Sequence, residues 1–278
     1  NDRVERDRAA QTLALLTGIM AFAAMLTPTI GGWIVQHRPW QWIFYALGGV
    51  SLLVLAATIS GIIETLPPQR RLKRLGPSDI ARGYLTIGRN KTFWSYVLPP
   101  ALMFAGVFAY AVVNSFLLIN ELGMAEQLYG VCYSFSACAY VAGSLAGRQL
   151  VRRAGINRSI VTGLSIGLVT AVLAVLASSV MPMSIPLVVV PGLCIFFSTS
   201  LILPIGSSIA VSLFAERAGS ASAVAGFTQI SFAGISSAIA AFLYDKTTLP
   251  LHLFTLGCCV SAVIVWLSCA RYRIDVTR

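Results

Sequence analysis

Long apolar stretches alternate with short polar gaps along this chain. Eight of them, at residues 12–35, 41–63, 94–118, 128–150, 158–180, 186–213, 218–243 and 250–270, are almost free of charge. Each is long enough to cross a hydrocarbon core of about 30 Å at about 1.5 Å per residue. The pattern predicts an all-α integral membrane protein with eight transmembrane helices. All but one of the connections are short, so consecutive helices are expected to pack as antiparallel neighbours in a bundle.

The exception divides two spans from six. It runs from Glu64 to Lys91 and implies three regions: residues 1–63, a connecting loop at 64–93, and a six-span unit at 94–278. Pro67 and Pro68 stop the helix before it, because proline removes a backbone donor and clashes with the preceding turn. Ile80, Tyr84, Leu85 and Ile87 recur at spacings that suit a short helix on the membrane surface. Six spans are compatible with three plus three in inverted topology, although the two triplets show no clear identity. The chain opens at Asn1 within a charge cluster, and its first two spans look orphaned. We therefore expect a six-plus-six protein of which the first four spans are missing.

Charge sets the expected orientation. Eighteen of the twenty Lys and Arg residues fall in alternate gaps, and the other gaps hold only Arg38 and Lys246. The richest gaps are Arg70 to Lys91 and the one with Arg148, Arg152, Arg153 and Arg158. Positively charged loops stay on the cytoplasmic side, so the N-terminus, central loop and C-terminus are expected to be cytoplasmic in an inner (plasma) membrane. A formal charge of +10 then calls for anionic lipid of the bilayer, not nucleic acid, as partner.

Composition narrows the chemistry. The chain is 57% hydrophobic and 11% charged, with a mean hydropathy of +0.80. The six cysteines lie singly or adjacent within apolar runs, without C-x-x-C spacing, and read as lipid-buried thiols. His37 and His252 read as residues of short outside loops, and no metal site is expected. Clustered His, Asp, Glu or Ser with a base, which an intramembrane enzyme needs, is missing. An enzyme is not expected.

One helix carries a distinctive string: Thr27-Pro28-Thr29-Ile30-Gly31-Gly32-Trp33. Pro28 frees a backbone carbonyl, and Gly31 and Gly32 let a neighbour approach closely. With its surroundings this string resembles the antiporter motif in the fifth span of the major facilitator superfamily, in its twelve-span drug:proton antiporters. Trp40-Gln41-Trp42-Ile43-Phe44, Glu64-Thr65-Leu66-Pro67-Pro68 with Arg70 and Arg71, Phe104-Ala105-Gly106 and Arg152-Arg153-Ala154-Gly155 are similar to the Bcr/CflA-like multidrug efflux branch. The resemblance covers essentially the whole chain as spans five to twelve, so two spans would come from the N-terminal bundle and six from a complete C-terminal bundle. The sequence departs from the family at Ala14, Ala23 and Thr27, where the full motif has glycines. Gly147, Arg148, Arg152, Arg153 and Gly155 resemble a degenerate copy of the superfamily's cytoplasmic loop motif without its Asp.

The resemblance implies proton-coupled efflux of small amphipathic, drug-like molecules by alternating access, with a proton as coupling ion and no other cofactor. The family's embedded acids usually lie in early spans, and no acidic residue is central to any span here. The partners implied are the bilayer, a small-molecule substrate and the missing four spans, without which transport is not expected. Alternatives are a metabolite exporter, for a sugar or an amino acid, or a non-transporting receptor on the same fold. Helix periodicity groups Met103, Tyr110 and Asn114 on one stripe, Tyr133 and Tyr140 on another, and Gln229 on a third, as candidate walls of an apolar, aromatic cavity. Gly143, Gly147 and Gly226 are candidate close-packing positions.

Overall fold

The computed structural model describes residues 30–61 and 77–273. Every regular element among them is helical. Seven helices are long and apolar enough to cross a membrane. The first apolar stretch lies outside the described residues up to residue 29, and Pro28 lies outside them with it. The chain divides into two compact units, residues 1–75 with 126–134 and residues 76–125 with 135–278.

In the first unit α1 is described over residues 30–37, and α2 runs Gln41–Gly61. The chain turns through Pro39 and Trp40, and Trp42 N–H donates to Pro39 O at 3.0 Å to open α2. Aromatic groups collect at this turn. The Trp33 and His37 rings are 4.9 Å apart, and the Arg38 guanidinium lies 5.2 Å from the Trp42 ring centre. Amphipathic rings with a cation suit the boundary between headgroups and hydrocarbon. None of the residues of α2 is buried. Ser51, Thr58 and Ser60 donate to carbonyls one turn back at 2.7–2.8 Å, which satisfies hydroxyls where lipid offers no partner.

The second unit begins with α3, Pro77–Arg89, where proline at the first helical position suits a helix start. Gly83 and Ile87 are buried, while Tyr84 and Leu85 are exposed. Ile87 packs into a core with Phe93, Val97, Ala210, Ala221 and Ala225. The inner face of α3 is therefore docked on protein, and the surface helix read from sequence presents only its outer face. A turn at Asn90, whose side chain accepts from Phe93 N–H at 2.9 Å, caps the next helix.

That helix, α4, spans Lys91–Ser115 and runs on through a π-helical turn, Phe116–Glu121. It packs against α7, α8 and α9, and fourteen of its residues are buried, including Pro99 and Pro100. The second unit also holds α6 (Ile156–Val180), α7 (Ile185–Ser212), α8 (Ala218–Phe242) and α9 (Leu249–Ser268), and the part of α5 (Glu126–Ala154) from residue 135 on. α5 gives way to α6 at Gly155, whose φ of +83° suits glycine. The turn after α8 brings Tyr244 OH to Glu121 Oε1 at 3.0 Å.

Small residues set the helix spacing. Gly143 and Gly147 of α5 lie against the Phe197 and Leu201 carbonyls of α7, and a side chain at either would collide with them. Gly163 and Gly167 of α6 meet side chains instead, Ile202 of α7 and the flexible end of Met103 of α4. Close backbone approach supplies the van der Waals contact that holds helices together where lipid is as apolar as the side chains. Hydroxyls cross between helices as well: Ser236 Oγ donates to Ala105 O at 2.5 Å, and Thr199 Oγ1 to Met103 O at 3.4 Å. Large apolar side chains such as Val169, Leu173, Leu176, Phe227 and Phe242 point outward, as a lipid-facing surface requires.

Candidate functional site

Residues expected to line one chamber fall into separate environments. Met103 is 1% exposed and fits against Gly167 of α6, within the interior of the six-helix unit. Tyr110 is also 1% exposed, seated against Gly192 of α7 and 5.9 Å from the His252 ring. Both belong to the core and not to an open wall. Asn114, one turn further along α4, is half-buried, and its Oδ1 has no hydrogen-bond partner.

Tyr133 and Tyr140 are half-buried on α5, two turns apart on one side of the helix. Gln229 of α8 is half-buried and donates from Nε2 to Ser207 Oγ of α7 at 3.0 Å. Tyr133 belongs to the first unit, and Tyr140 and Gln229 to the second. Gly226, one turn before Gln229, faces open space: a Cβ there would meet no atom within 4 Å. The same holds for Gly31 and Gly32.

The basic end of the second unit is built separately. Tyr96 OH of α4 donates to Asn157 Oδ1 of α6 at 3.0 Å, and the Tyr96 and Trp266 rings lie edge to face at 5.9 Å. Arg273 closes over Trp266, its guanidinium 3.8 Å from the ring centre, and donates to the Trp266 carbonyl. Burial lowers the Arg273 pKa, against the raising influence of Tyr96 and Cys269. Lys91 reaches Tyr272 OH at 3.2 Å. Along α5 an open groove of about 670 Å³ is lined by Leu145, Arg148, Gln149, Arg152 and Arg153. All three arginines are exposed.

At the other end, burial and then the bond to Glu121 raise the Tyr244 pKa, with Glu121 and Asp245 adding negative charge. The larger surprise there is His252. It stands within α9, fully buried, and not in an outside loop. The apolar run Pro250-Leu251-His252-Leu253-Phe254 was the signal for it, since a ring flanked on both sides by lipid-span residues has no loop to occupy. All six cysteines are unpaired thiols, and no group of three His, Cys, Asp or Glu among the described residues could hold a metal.

Known proteins supply the context for this geometry. A family profile described as Major Facilitator Superfamily matches residues 1–241. A bicyclomycin resistance protein homolog of Haemophilus influenzae is 26% identical over 267 residues, covering 93% of this chain and 64% of that protein. The multidrug resistance protein MdtL of Klebsiella pneumoniae is 26% identical over 229 residues, covering 82% of this chain and 56% of its own length. An uncharacterized MFS-type transporter of Bacillus subtilis, YdgK, is 26% identical over 248 residues, 86% of this chain and 59% of that one. The chain thus spans between 56% and 64% of these three relatives. A solved bacterial homologue of the iron transporter ferroportin, in an inward-facing state, superposes with a TM-score of 0.68 at 17% identity. It covers 97% of this chain and 65% of that one. At that identity the likeness establishes the fold alone.

Proposed function

The chain belongs to the major facilitator superfamily, and on that premise we propose that it acts in a secondary active transporter exporting small amphipathic compounds in exchange for protons. The observation that carries this reading is the match, along 93% of the chain, to a relative named for bicyclomycin resistance, joined by another named for multidrug resistance. The residues support it in kind. Tyr140 and Gln229 offer half-buried aromatic and amide groups within the second unit, of a kind suited to ligands with broad apolar faces and few polar atoms.

Alternating access needs helices that shift against one another without breaking buried polar contacts. The glycine contacts of α5 and α6 with α7 provide smooth, closely packed faces of that kind. In this proposal the end bearing Lys91, Arg152, Arg153, Arg158, Arg217 and Arg271 faces the cytoplasm. The proton is the coupling ion, and no other cofactor takes part.

Export of a fluorescent cationic dye from cells expressing this chain together with the four spans expected before it provides the test. Expected is reduced dye accumulation that is abolished when a protonophore collapses the gradient. Export that persists without the gradient would remove the coupling. Export of sugars or amino acids with no effect on dyes or antibiotics would replace the substrate class.

A further inference from the structure

The part of α5 that belongs to the second unit carries its cations on an exposed face. Phe135, Cys138, Ala142, Leu145, Gln149 and Arg152 are exposed at intervals of three and four residues, which places them on one side of the helix. Arg148 and Arg153 stand beside the last two and are exposed as well. The face is apolar as far as Leu145, itself 61% exposed, and polar from Arg148 on. On its polar part lies the open groove of about 670 Å³ lined by Leu145, Arg148, Gln149, Arg152 and Arg153.

Among the described residues nothing neutralises these guanidiniums. None of the three makes a hydrogen bond or an ion pair there, and the one acid of α5, Glu126, stands in its first turn at the opposite end. The negative end of the helix dipole favours Arg152 and Arg153, which lie in the last turn. That field falls off within the turn and leaves Arg148, a full turn before Arg152, without a counter-charge. From Arg148 to Arg153 the helix rises about 7.5 Å, close to the thickness of one headgroup layer of a bilayer.

We propose that this face of α5 is a binding site for one acidic phospholipid, with its phosphate held by Arg148, Arg152 and Arg153 in the groove and an acyl chain along Leu145, Ala142, Cys138 and Phe135. Guanidiniums bind phosphate oxygens through paired, charge-assisted N–H donors. Gln149 adds an amide N–H for an ester carbonyl or a headgroup hydroxyl. The apolar face that continues from the cations selects a lipid over free phosphate, which would use the arginines alone. A zwitterionic headgroup brings its own ammonium, which three cations repel, so the site selects lipids of net negative charge. The proposal is independent of what the chain exports.

Lipid contact can be read at the groove itself. The chain, joined to the four spans expected before it and with its six native cysteines replaced by alanine, is labelled with bimane at Gln149→Cys and held in micelles of a neutral detergent. Phosphatidylglycerol or phosphatidylcholine brominated on the acyl chains is then added as quencher. Expected is half-quenching by phosphatidylglycerol at a mole fraction at least roughly tenfold below that for phosphatidylcholine, since a charge near the headgroups contributes roughly fivefold. Arg148→Gln, Arg152→Gln and Arg153→Gln together are expected to abolish the preference. Lys91→Gln, Arg217→Gln and Arg271→Gln together remove the same charge from other exposed cations of the second unit, and are expected to leave it in place.

Equal quenching by the two lipids overturns the selectivity, and with it the proposal. A preference that survives in the groove variant, or that the second variant lowers as much, reports overall charge and overturns the site. Quenching by neither lipid means that protein covers the groove, and overturns a lipid as its occupant. Inorganic phosphate that relieves the quenching where chloride of equal ionic strength does not would make free phosphate the ligand.

Discussion

The Gly143 backbone of α5 lies directly against the Phe197 carbonyl of α7, with no space for a Cβ between them. Close contact at that point determines how near the two helices can come, and Gly147 repeats it one turn later at Leu201. Backbone carbonyls cannot move aside as a flexible side chain can, so a larger residue must push the helices apart. Gly143→Val is expected to cost about 1–3 kcal/mol, the usual range for overpacking, seen as a lower unfolding temperature in detergent. Gly226→Ala serves as the contrast. It meets open space, and exchanging glycine for the better helix former should leave stability equal or up to about 1 kcal/mol higher.

Ile87 anchors α3 to the six-helix unit. Fully buried among Phe93, Val97, Ala210, Ala221 and Ala225, it is expected to cost about 2–4 kcal/mol when cut to alanine. Leu85, 53% exposed on the outer face, should cost less than about 0.5 kcal/mol. Limited trypsin digestion reads the difference, because α3 carries Arg82 and Arg89. Faster cleavage at these sites in Ile87→Ala, and unchanged cleavage in Leu85→Ala, is the expected outcome. Equal cleavage in both would remove the docking role.

Orientation can be measured directly. Gln149→Cys, exposed in the arginine groove of α5, and Lys246→Cys, in the turn before α9, stand at opposite ends of the second unit. In a background without the six native cysteines, a membrane-impermeant maleimide applied to intact cells is expected to label position 246 and not position 149. The reverse pattern would place the basic end outside, against the preference of Lys and Arg for the cytoplasmic side.

Gln229 separates a ligand-binding role from a packing role. Its bond to Ser207 at 3.0 Å is worth about 0.6 kcal/mol by analogy with hydrogen bonds between membrane helices, so Gln229→Leu should barely change stability. A substrate that hydrogen-bonds the amide would lose about 0.5–1.5 kcal/mol, a loss of roughly two- to tenfold in export efficiency. A variant with unchanged export of several dyes would assign Gln229 to packing alone.

Tyr244 responds to high pH. Burial and its bond to Glu121 raise the phenol pKa above the ordinary value. The folded state therefore favours the neutral phenol, and this contribution is present below about pH 10 and lost as pH rises through the raised value. Glu121→Gln is expected to move the Tyr244 titration part of the way back, since burial is the larger cause. A midpoint unaffected by that change would show that the hydrogen bond does not form in solution. Tyrosine Cζ NMR, assigned with Tyr244→Phe, makes the measurement.

Hydrophobic length and charge placement are local properties, and for that reason the sequence by itself determined most of the architecture. The helical class and the resemblance to the superfamily both rest on residues that are near one another in the chain. The helix at α3 was legible from Ile80, Tyr84, Leu85 and Ile87, but periodicity reports a face and not what covers it. Only the structure shows Ile87 in protein.

The same limit applies to the site. Tyr110 and Asn114 share a stripe of α4, yet the tyrosine is sealed against Gly192 and His252 while the amide oxygen stays without a partner. His252 looked like a loop residue because its neighbours in sequence are close to the end of a span. Its neighbours in space are Ser178, 74 residues earlier, and Tyr110, on another helix. Which atoms meet across helices depends on rotation and depth of packing, set jointly by all the contacts of the bundle. No single stretch of sequence holds that information, and the tertiary structure alone decides it.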